Sequence, residues 1–207
     1  MQTYQCFRVE RADSVATVYL SNDKKRNAMG PAFWTELPQV FAELDADASV
    51  RAIVLAADGP VWTAGLDLVA MMPQLQASEA GRIPQQKHLH ALIRRLQDAI
   101  TSVERTRQPV IAAIQGHCFG AGMQLALGAV FRIARPDAQL SIMETRWGLV
   151  PDMGVSVTLR GLVGLDVAKE LAMTSRIVSG EEAARVGLVT RTAEDPFGAA
   201  KTLADEL

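Results

Sequence analysis

Two glycine-containing stretches and two carboxylates are the features of this sequence that could do chemistry. Trp62-Thr63-Ala64-Gly65-Leu66-Asp67-Leu68 and Gln115-Gly116-His117-Cys118-Phe119-Gly120-Ala121-Gly122 each put glycine where a backbone can turn sharply and leave its N–H groups open to a ligand. Ala121 falls at the start of an apolar run, where a helix N-terminus favours an anion. From spacing alone, such turns equally well just join a strand to a helix. Glu144 and Asp152 are titratable groups that could move protons if a substrate lay beside them. Taken singly, Glu144 reads as a solvated carboxylate or a partner of Arg146, and Asp152, in Pro151-Asp152-Met153-Gly154, as a turn former or helix N-cap. His117 beside Cys118 suggests a thiol–imidazole couple, but adjacent side chains usually diverge, so structural roles are favoured. Lys24-Lys25-Arg26 is a short basic run of the kind found in solvated loops. Met71, Met72, Met143, Trp62 and Trp147 are assigned to core packing by default.

The elements that must position these groups follow from apolar periodicity. Phe7 to Glu10 and Val15 to Leu20 read as two strands around a hairpin turn at Arg11-Ala12-Asp13-Ser14. Pro31 to Asp47 places Phe33, Leu37, Val40, Phe41 and Leu44 at helical spacing, with a disturbance expected at Pro38. Ala52 to Ala56 and Val110 to Ile114 are wholly apolar runs, as in strands buried on both faces. The second runs straight into the Gly-rich stretch and then a helix. Met71 to Lys87 is polar, holds Pro73, Gly81 and Pro84, and reads as a loop beside the site, a candidate lid. His88 to Arg105 keeps a helical period through Leu89, Leu92, Ile93, Leu96, Ile100 and Val103. Phe131 to Ala134 and Gln139 to Ile142 read as strands, and Val167 to Met173 and Glu181 to Val186 as helices separated by a turn at Ser179-Gly180. Alternation of strands and helices implies a layered α/β domain. Two ββα-like passages are similar in outline, which does not by itself establish a repeat.

Composition narrows the function classes. With 207 residues, 49% hydrophobic and 21% charged, the chain can bury one substantial core and reads as a single domain over residues 1–207. A net charge of -2 leaves no excess with which to hold nucleic acid or an anionic membrane. Cys6 and Cys118 give neither a disulfide framework nor zinc-ligand spacing, so no metal is expected and a reducing, cytoplasmic setting fits. The N-terminus lacks a basic segment followed by an apolar one, and no apolar run approaches the roughly 20 residues of a membrane span.

Together, Trp62 to Leu68, Ile114 to Gly122 and Met143-Glu144-Thr145-Arg146-Trp147-Gly148-Leu149-Val150-Pro151-Asp152-Met153-Gly154 resemble, in order and spacing, the enoyl-CoA hydratase/isomerase (crotonase) family. The resemblance covers the chain from about Cys6 to its last residue and is closest in motif to the dienoyl-CoA isomerase-like branch. It implies an α/β crotonase (ClpP/crotonase-like) fold of repeated ββα units in a spiral. Much of the C-terminal helical part that closes the acyl pocket and builds the trimer is expected to be missing, because the chain stops at Lys201 to Leu207, where a helix begins. An acyl-CoA thioester is the implied substrate, with no cofactor beyond the coenzyme A it carries, and a homotrimer or dimer of trimers is the implied assembly.

The resemblance also implies roles. The backbone N–H groups of Leu66 and Ala121 would form an oxyanion hole for the thioester oxygen, where one such donor contributes about 2.7 to 4 kcal/mol. Lys25, Arg26, Ala28, Ala64, Gly65, Asp67, Leu68, Gly120 and Gln124 are the expected substrate and coenzyme A contacts, with the basic run near the phosphates and Asn27-Ala28-Met29 lining the nucleotide. Glu144 matches the glutamate that carries protons in hydratases and isomerases. Asp152 stands where most hydratases have a small residue but dienoyl-CoA isomerases, and one dehalogenase branch, place a catalytic aspartate. Hydratases carry a further glutamate where this chain has Gln124, which can orient water or substrate but not exchange a proton near neutral pH. The expectation is therefore a double-bond isomerase using Glu144 and Asp152. Two alternatives stay open: a hydratase in which Gln124 holds water for Glu144, and an acyl-CoA binding protein without catalysis. The latter is suggested by Gln124 and by Val130, where the family often has aspartate.

Overall fold

The computed structural model describes residues 3–76 and 82–207. Its strands are β1 (Phe7–Ala12), β2 (Val15–Leu20), β3 (Ala52–Ala57), β4 (Val110–Ile114), β5 (His117–Phe119), β6 (Phe131–Ala134), β7 (Gln139–Ser141), β8 (Val178–Ser179) and β9 (Arg191–Thr192). Its α-helices are α1 (Pro31–Ala46), α2 (Leu68–Gln76), α3 (Arg82–Arg105), α4 (Ala121–Leu127), α5 (Val155–Thr158), α6 (Leu165–Thr174), α7 (Gly180–Val186) and α8 (Pro196–Glu206).

After the β1–β2 hairpin the chain repeats one move. A strand joins a six-stranded sheet of order β1-β2-β3-β4-β6-β9, parallel from β2 onward, and the segment behind it joins a second layer. In that layer β5, β7 and β8 form a sheet, while the parallel bridges Met29↔Leu66 and Thr63↔Cys118 extend it through the segments that follow β2 and β3. The second-layer segments thus lie side by side in the same order as the strands they follow. This is the spiral of ββα units expected from the family resemblance.

The apolar runs of β3 and β4 are continuous because both faces of the large sheet are covered. Ile53, Leu55, Val110 and Ala112 join the main core with Phe33, Leu37, Phe41, Leu96 and Ile100 of α1 and α3. Val54, Ile111 and Ile133 point the other way and meet Ala200 and Ala204 of α8.

Several elements differ from the sequence reading. The first strand extends to Ala12, and the turn narrows to Asp13 and Ser14, with Asp13 at φ 52°. Pro38 sits inside α1 without ending it, because six buried side chains, Phe33, Trp34, Leu37, Val40, Phe41 and Leu44, hold the helix to the core on either side of the proline. The 71–87 stretch, read as a loop, is largely helical; its residues 77–81 lie outside the described residues. Asp67 Oδ1 accepts from Ala70 N at 2.9 Å and so starts α2, Met71 is buried, and Pro73 sits inside α2 without ending it. The stretch from Gln115 to Gly122 contains a short strand, β5, rather than a single turn. The last helix begins at Pro196 and not at Lys201, capped by Asp195, whose Oδ1 accepts from Gly198 N at 2.9 Å.

Candidate active site

The two glycine turns meet at one edge of the second layer. The 62–67 segment is clamped on both sides. Thr63 N donates to His117 O (2.9 Å) and Phe119 N to Thr63 O (3.3 Å), while Ala64 N donates to Arg26 O (3.0 Å) and Met29 N to Gly65 O (2.8 Å). Gly65 N is taken by Thr63 Oγ1 (3.0 Å), Asp67 N by Met29 O (3.1 Å), and Gly120 N by Ser141 O (2.9 Å). That accounting leaves Leu66 N–H and Ala121 N–H with no acceptor among the described residues.

Glycine is required for this contact. Gly65 has φ 88°, and a Cβ there would lie 2.6 Å from Phe119 O and 3.7 Å from Ala121 N. Gly122 packs its Cα against Thr63 so closely that a Cβ would lie 2.1 Å from Thr63 Cγ2. The residues bearing the two unpaired amides, Leu66 and Ala121, line the same cavity of about 450 Å³, with Ala64, Gly65, Leu68 and Gly120 around them.

Glu144 and Asp152 line that cavity too. Glu144 opens a 3-10 turn, Glu144–Trp147, just after β7, and its carboxyl lies against Gly120, where a Cβ would meet Oε1 at 3.4 Å. Gln124 Nε2 donates to Glu144 Oε1 at 2.7 Å. Glu144 Oε2 and Gln124 Oε1 are buried with no hydrogen-bond partner among the described residues. Burial raises the Glu144 carboxyl above the ordinary glutamate range, and the negative charge of Asp152 raises it further, against the opposing pull of the Gln124 amide. Asp152 is raised by burial as well. Its backbone carbonyl accepts from Gln97 Nε2 of α3 at 2.6 Å, which ties the 151–154 turn to the cavity wall.

Two of the bland readings, the Arg146 ion pair of Glu144 and the helix N-cap of Asp152, do not hold. The side-chain partner of Glu144 is Gln124 and not Arg146. The helix after Asp152 is preceded by Gly154 and has no side-chain cap, so Asp152 is not used as an N-cap.

The other expected contacts divide. Ala64, Gly65, Leu68 and Gly120 are on the cavity wall, whereas Lys25, Arg26, Ala28 and Asp67 are off it. Lys25 pairs with Asp67 at 3.7 Å, and the loop carrying the basic run is held by the buried Asn27 side chain, which accepts from Asn22 N and donates to Asp58 O and Val61 O. Gln124, expected to contact substrate, is only 1% exposed and sits behind Glu144 instead of on the wall. It is a single turn into α4, where the helix backs onto the core. Cys118 is fully buried and its thiol is pushed up by burial, while His117 stacks on Phe119 at 4.9 Å, so the adjacent pair diverges.

The rest of the wall is apolar. Leu89, Ile93 and Leu96 present one face of α3 to the cavity, and Trp34, Phe119, Met143, Trp147, Leu149, Val150 and Met153 complete it. Met143 and Trp147 were assigned to core packing; Trp62 and Met71, assigned likewise, are indeed fully buried. The α3 residues carry the same helical period as core residues, so no sequence signal separates cavity wall from core here.

Comparison with known proteins follows from this geometry. The family profile for Enoyl-CoA hydratase/isomerase matches residues 10–197. The human mitochondrial Delta(3,5)-Delta(2,4)-dienoyl-CoA isomerase is 34% identical over 99% of this chain and 64% of its own length. A crystal structure from Streptomyces coelicolor A3(2) superposes over all of this chain and 74% of its own, with 34% identity and a TM-score of 0.90. A Thermobifida fusca YX structure in complex with CoA covers 97% of this chain and 77% of its own, with 33% identity and a TM-score of 0.85. The chain belongs to the enoyl-CoA hydratase/isomerase family and has its crotonase fold. It spans about 60 to 64% of the length of the human and mouse relatives. Among the described residues, no helix is long and apolar enough to cross a membrane.

Proposed function

We propose that this protein is an acyl-CoA double-bond isomerase that shifts a proton along a conjugated dienoyl thioester, converting a 3,5-dienoyl-CoA to the 2,4-isomer. The observation that carries this reading is one apolar cavity holding two unpaired backbone amides and two carboxyls, both raised by burial. In this reading the thioester oxygen accepts from Leu66 N–H and Ala121 N–H. Removing a C2 proton from the 3,5-diene spreads the electron pair from that oxygen to C6, and a proton returned at C6 gives the 2,4-diene with no change in composition. Donors already aimed at the oxygen stabilise this enolate without reorganisation.

The two carboxyls take opposite states. In this reading Asp152 rests as the carboxylate and Glu144 as the acid, an assignment that burial of Glu144 and the neighbouring charge of Asp152 favour. Asp152 then takes the C2 proton and Glu144 supplies one at C6; solvent exchange resets the couple. Coenzyme A belongs to the substrate, and the protein's own groups do the chemistry. Lys25 and Arg26, at the exposed loop beside Ala64, would meet the phosphates. We propose a trimer or dimer of trimers, a reading supported by the exposed apolar side chains Val150, Val157, Leu165 and Met173 and testable by light scattering, and a cytoplasmic setting, supported by the free thiols of Cys6 and Cys118.

The test is a panel of enoyl- and dienoyl-CoA thioesters with wild type, Glu144→Gln and Asp152→Asn. Glu144→Gln should still exchange C2 protons with heavy water yet make no 2,4-diene, whereas Asp152→Asn should lose both. Isomerisation retained in both variants would overturn the assignment.

A second reading, hydration, has one observation in its favour: Gln124, which donates to Glu144 Oε1, and Glu144 each keep a buried acceptor oxygen without a partner among the described residues. Incorporation of heavy oxygen from water into crotonyl-CoA would select it. Exchange of α-protons by the wild type excludes a purely binding role.

A further inference from the structure

We infer that Ser175 is a positioning residue that locks the turn carrying Glu144 to the strand that holds the Ala121 oxyanion turn. The inference rests on the enolate reading above. Ser175 is only 2% exposed, although it lies at the end of α6, far in sequence from every group proposed to react.

Proton counting fixes what its hydroxyl does. Ser175 Oγ accepts from Arg146 N at 3.1 Å, an N–H that Met143 O shares at 3.2 Å, and is hydrogen-bonded to Thr145 Oγ1. Thr145 Oγ1 donates its single proton to Ala172 O at 3.0 Å, so the proton between the two hydroxyls belongs to Ser175. A directed chain results, from Arg146 N–H through Ser175 and Thr145 to Ala172 O. It grips both residues that immediately follow Glu144.

The backbone of Ser175 faces the other way. Its carbonyl accepts from Ser141 Oγ at 3.0 Å, and Ser141 O in turn accepts from Gly120 N at 2.9 Å, one residue before the Ala121 amide. A single buried residue is therefore two hydrogen bonds from the oxyanion turn and one from the acid/base turn. Packing cannot substitute for it, because Thr145 to Val150 are exposed and little apolar burial fixes where the Glu144 turn sits. Ser175 also holds a left-handed φ of 50°, a conformation that glycine adopts without strain. The side chain kept at that position is the one that completes the chain of donors.

The experiment compares Ser175→Ala, Ser175→Gly, Thr145→Val and the Ser175→Ala/Thr145→Val double variant. Readouts are kcat and KM for isomerisation, exchange of C2 protons with heavy water, and melting temperature. Losing the hydroxyl should lower kcat and exchange by about 10- to 100-fold, the scale on which a displacement of reacting groups by about 1 Å acts, while KM changes little. Ser175→Gly relieves the backbone, so it should melt no lower than Ser175→Ala yet be as slow. The double variant should be no slower than the worse single, since both break one chain. A Ser175→Gly variant with wild-type kcat, or losses that multiply in the double variant, would overturn the proposal. A wild type that exchanges C2 protons but does not isomerise dienes removes the isomerase reading alone, because the Ser175 comparison can then be read on exchange; no exchange at all removes both.

Discussion

Ala121→Pro isolates one oxyanion donor with little other damage. Ala121 is the first residue of α4, a position whose N–H has no helical acceptor and where proline is favoured. The residue before a proline is pushed to extended backbone, and Gly120, at φ 55° and ψ -124°, already holds the mirror image of that conformation, which glycine takes as readily as its opposite hand. The fold should therefore survive, with a melting temperature close to wild type. What is lost is a donor on a largely buried amide facing the cavity, where water competes poorly. Removal of one comparable donor elsewhere costs about 10²- to 10³-fold in kcat, or roughly 2.7 to 4 kcal/mol. The expected outcome is a fall of that size in kcat and in C2-proton exchange, with a smaller rise in KM from the ring carbon that replaces the hydrogen. Ala121→Gly, which keeps the N–H, is the control and should stay within a few-fold of wild type. A folded Ala121→Pro protein that isomerises dienes at the wild-type rate would refute the reasoning, since the proposed enolate would then have no need of that amide.

Three further outcomes can be checked. Activity against pH should be bell-shaped, needing Asp152 ionised and Glu144 protonated; because burial raises both, each limb should lie above the ordinary carboxyl range of about 4, and an alkaline limb at or below it in kcat/KM profiles would contradict the assignment. Glu144→Gln should stabilise the fold at neutral pH. The folded state holds the Glu144 proton more tightly than the unfolded chain, so the wild type loses stability as pH rises from the ordinary glutamate value to the raised one, and the gain seen in melting curves at pH 7 should vanish near pH 4. Gly122→Ala should destabilise by roughly 1 to 3 kcal/mol in denaturant titrations, since its Cβ would sit 2.1 Å from Thr63 Cγ2, and it should slow turnover by parting the two glycine turns; unchanged stability would mean the contact relaxes freely.

Much of this was legible in the sequence because it is local. Wholly apolar runs gave β3 and β4, helical spacing gave α1 and most of α3, and the order of three motifs gave the fold. What escaped has physical causes. β8 and β9 are two residues each and α5 is four, too short to leave a period. Prolines in the 71–87 stretch read as helix breakers, yet Pro73 lies inside α2, a helix started by the Asp67 side chain and anchored by the buried Met71. Gln124 and Asp67, expected as substrate contacts, carry internal roles that the sequence does not announce, Gln124 holding Glu144 and Asp67 capping α2. A polar residue's partner depends on which strand lies next door, and that is tertiary information. The apolar cavity wall was invisible for the opposite reason, since a side chain facing an apolar cavity and one facing the core have the same chemistry.

The linear order of the motifs carried geometry because the spiral converts sequence order into spatial order. The segment after β3, then β5, then β7 lie adjacent and parallel in the second layer, so their C-terminal ends emerge along one edge. Leu66, Ala121 and Glu144 each come just after one of those ends. Successive turns of the spiral thus deliver first one amide, then the second, then the Glu144 carboxyl, at the spacing of neighbouring strands, about 4.8 Å. That spacing suits an oxyanion bound by two donors with an acid beside the adjoining carbons. Only Asp152 departs from the register, reaching the cavity from a turn that Gln97 of α3 holds in place. The position of this second carboxyl therefore depends on a helix that also walls the apolar end of the cavity through Leu89, Ile93 and Leu96, so a change in how the proposed acyl chain fits has a direct physical route to the proposed base.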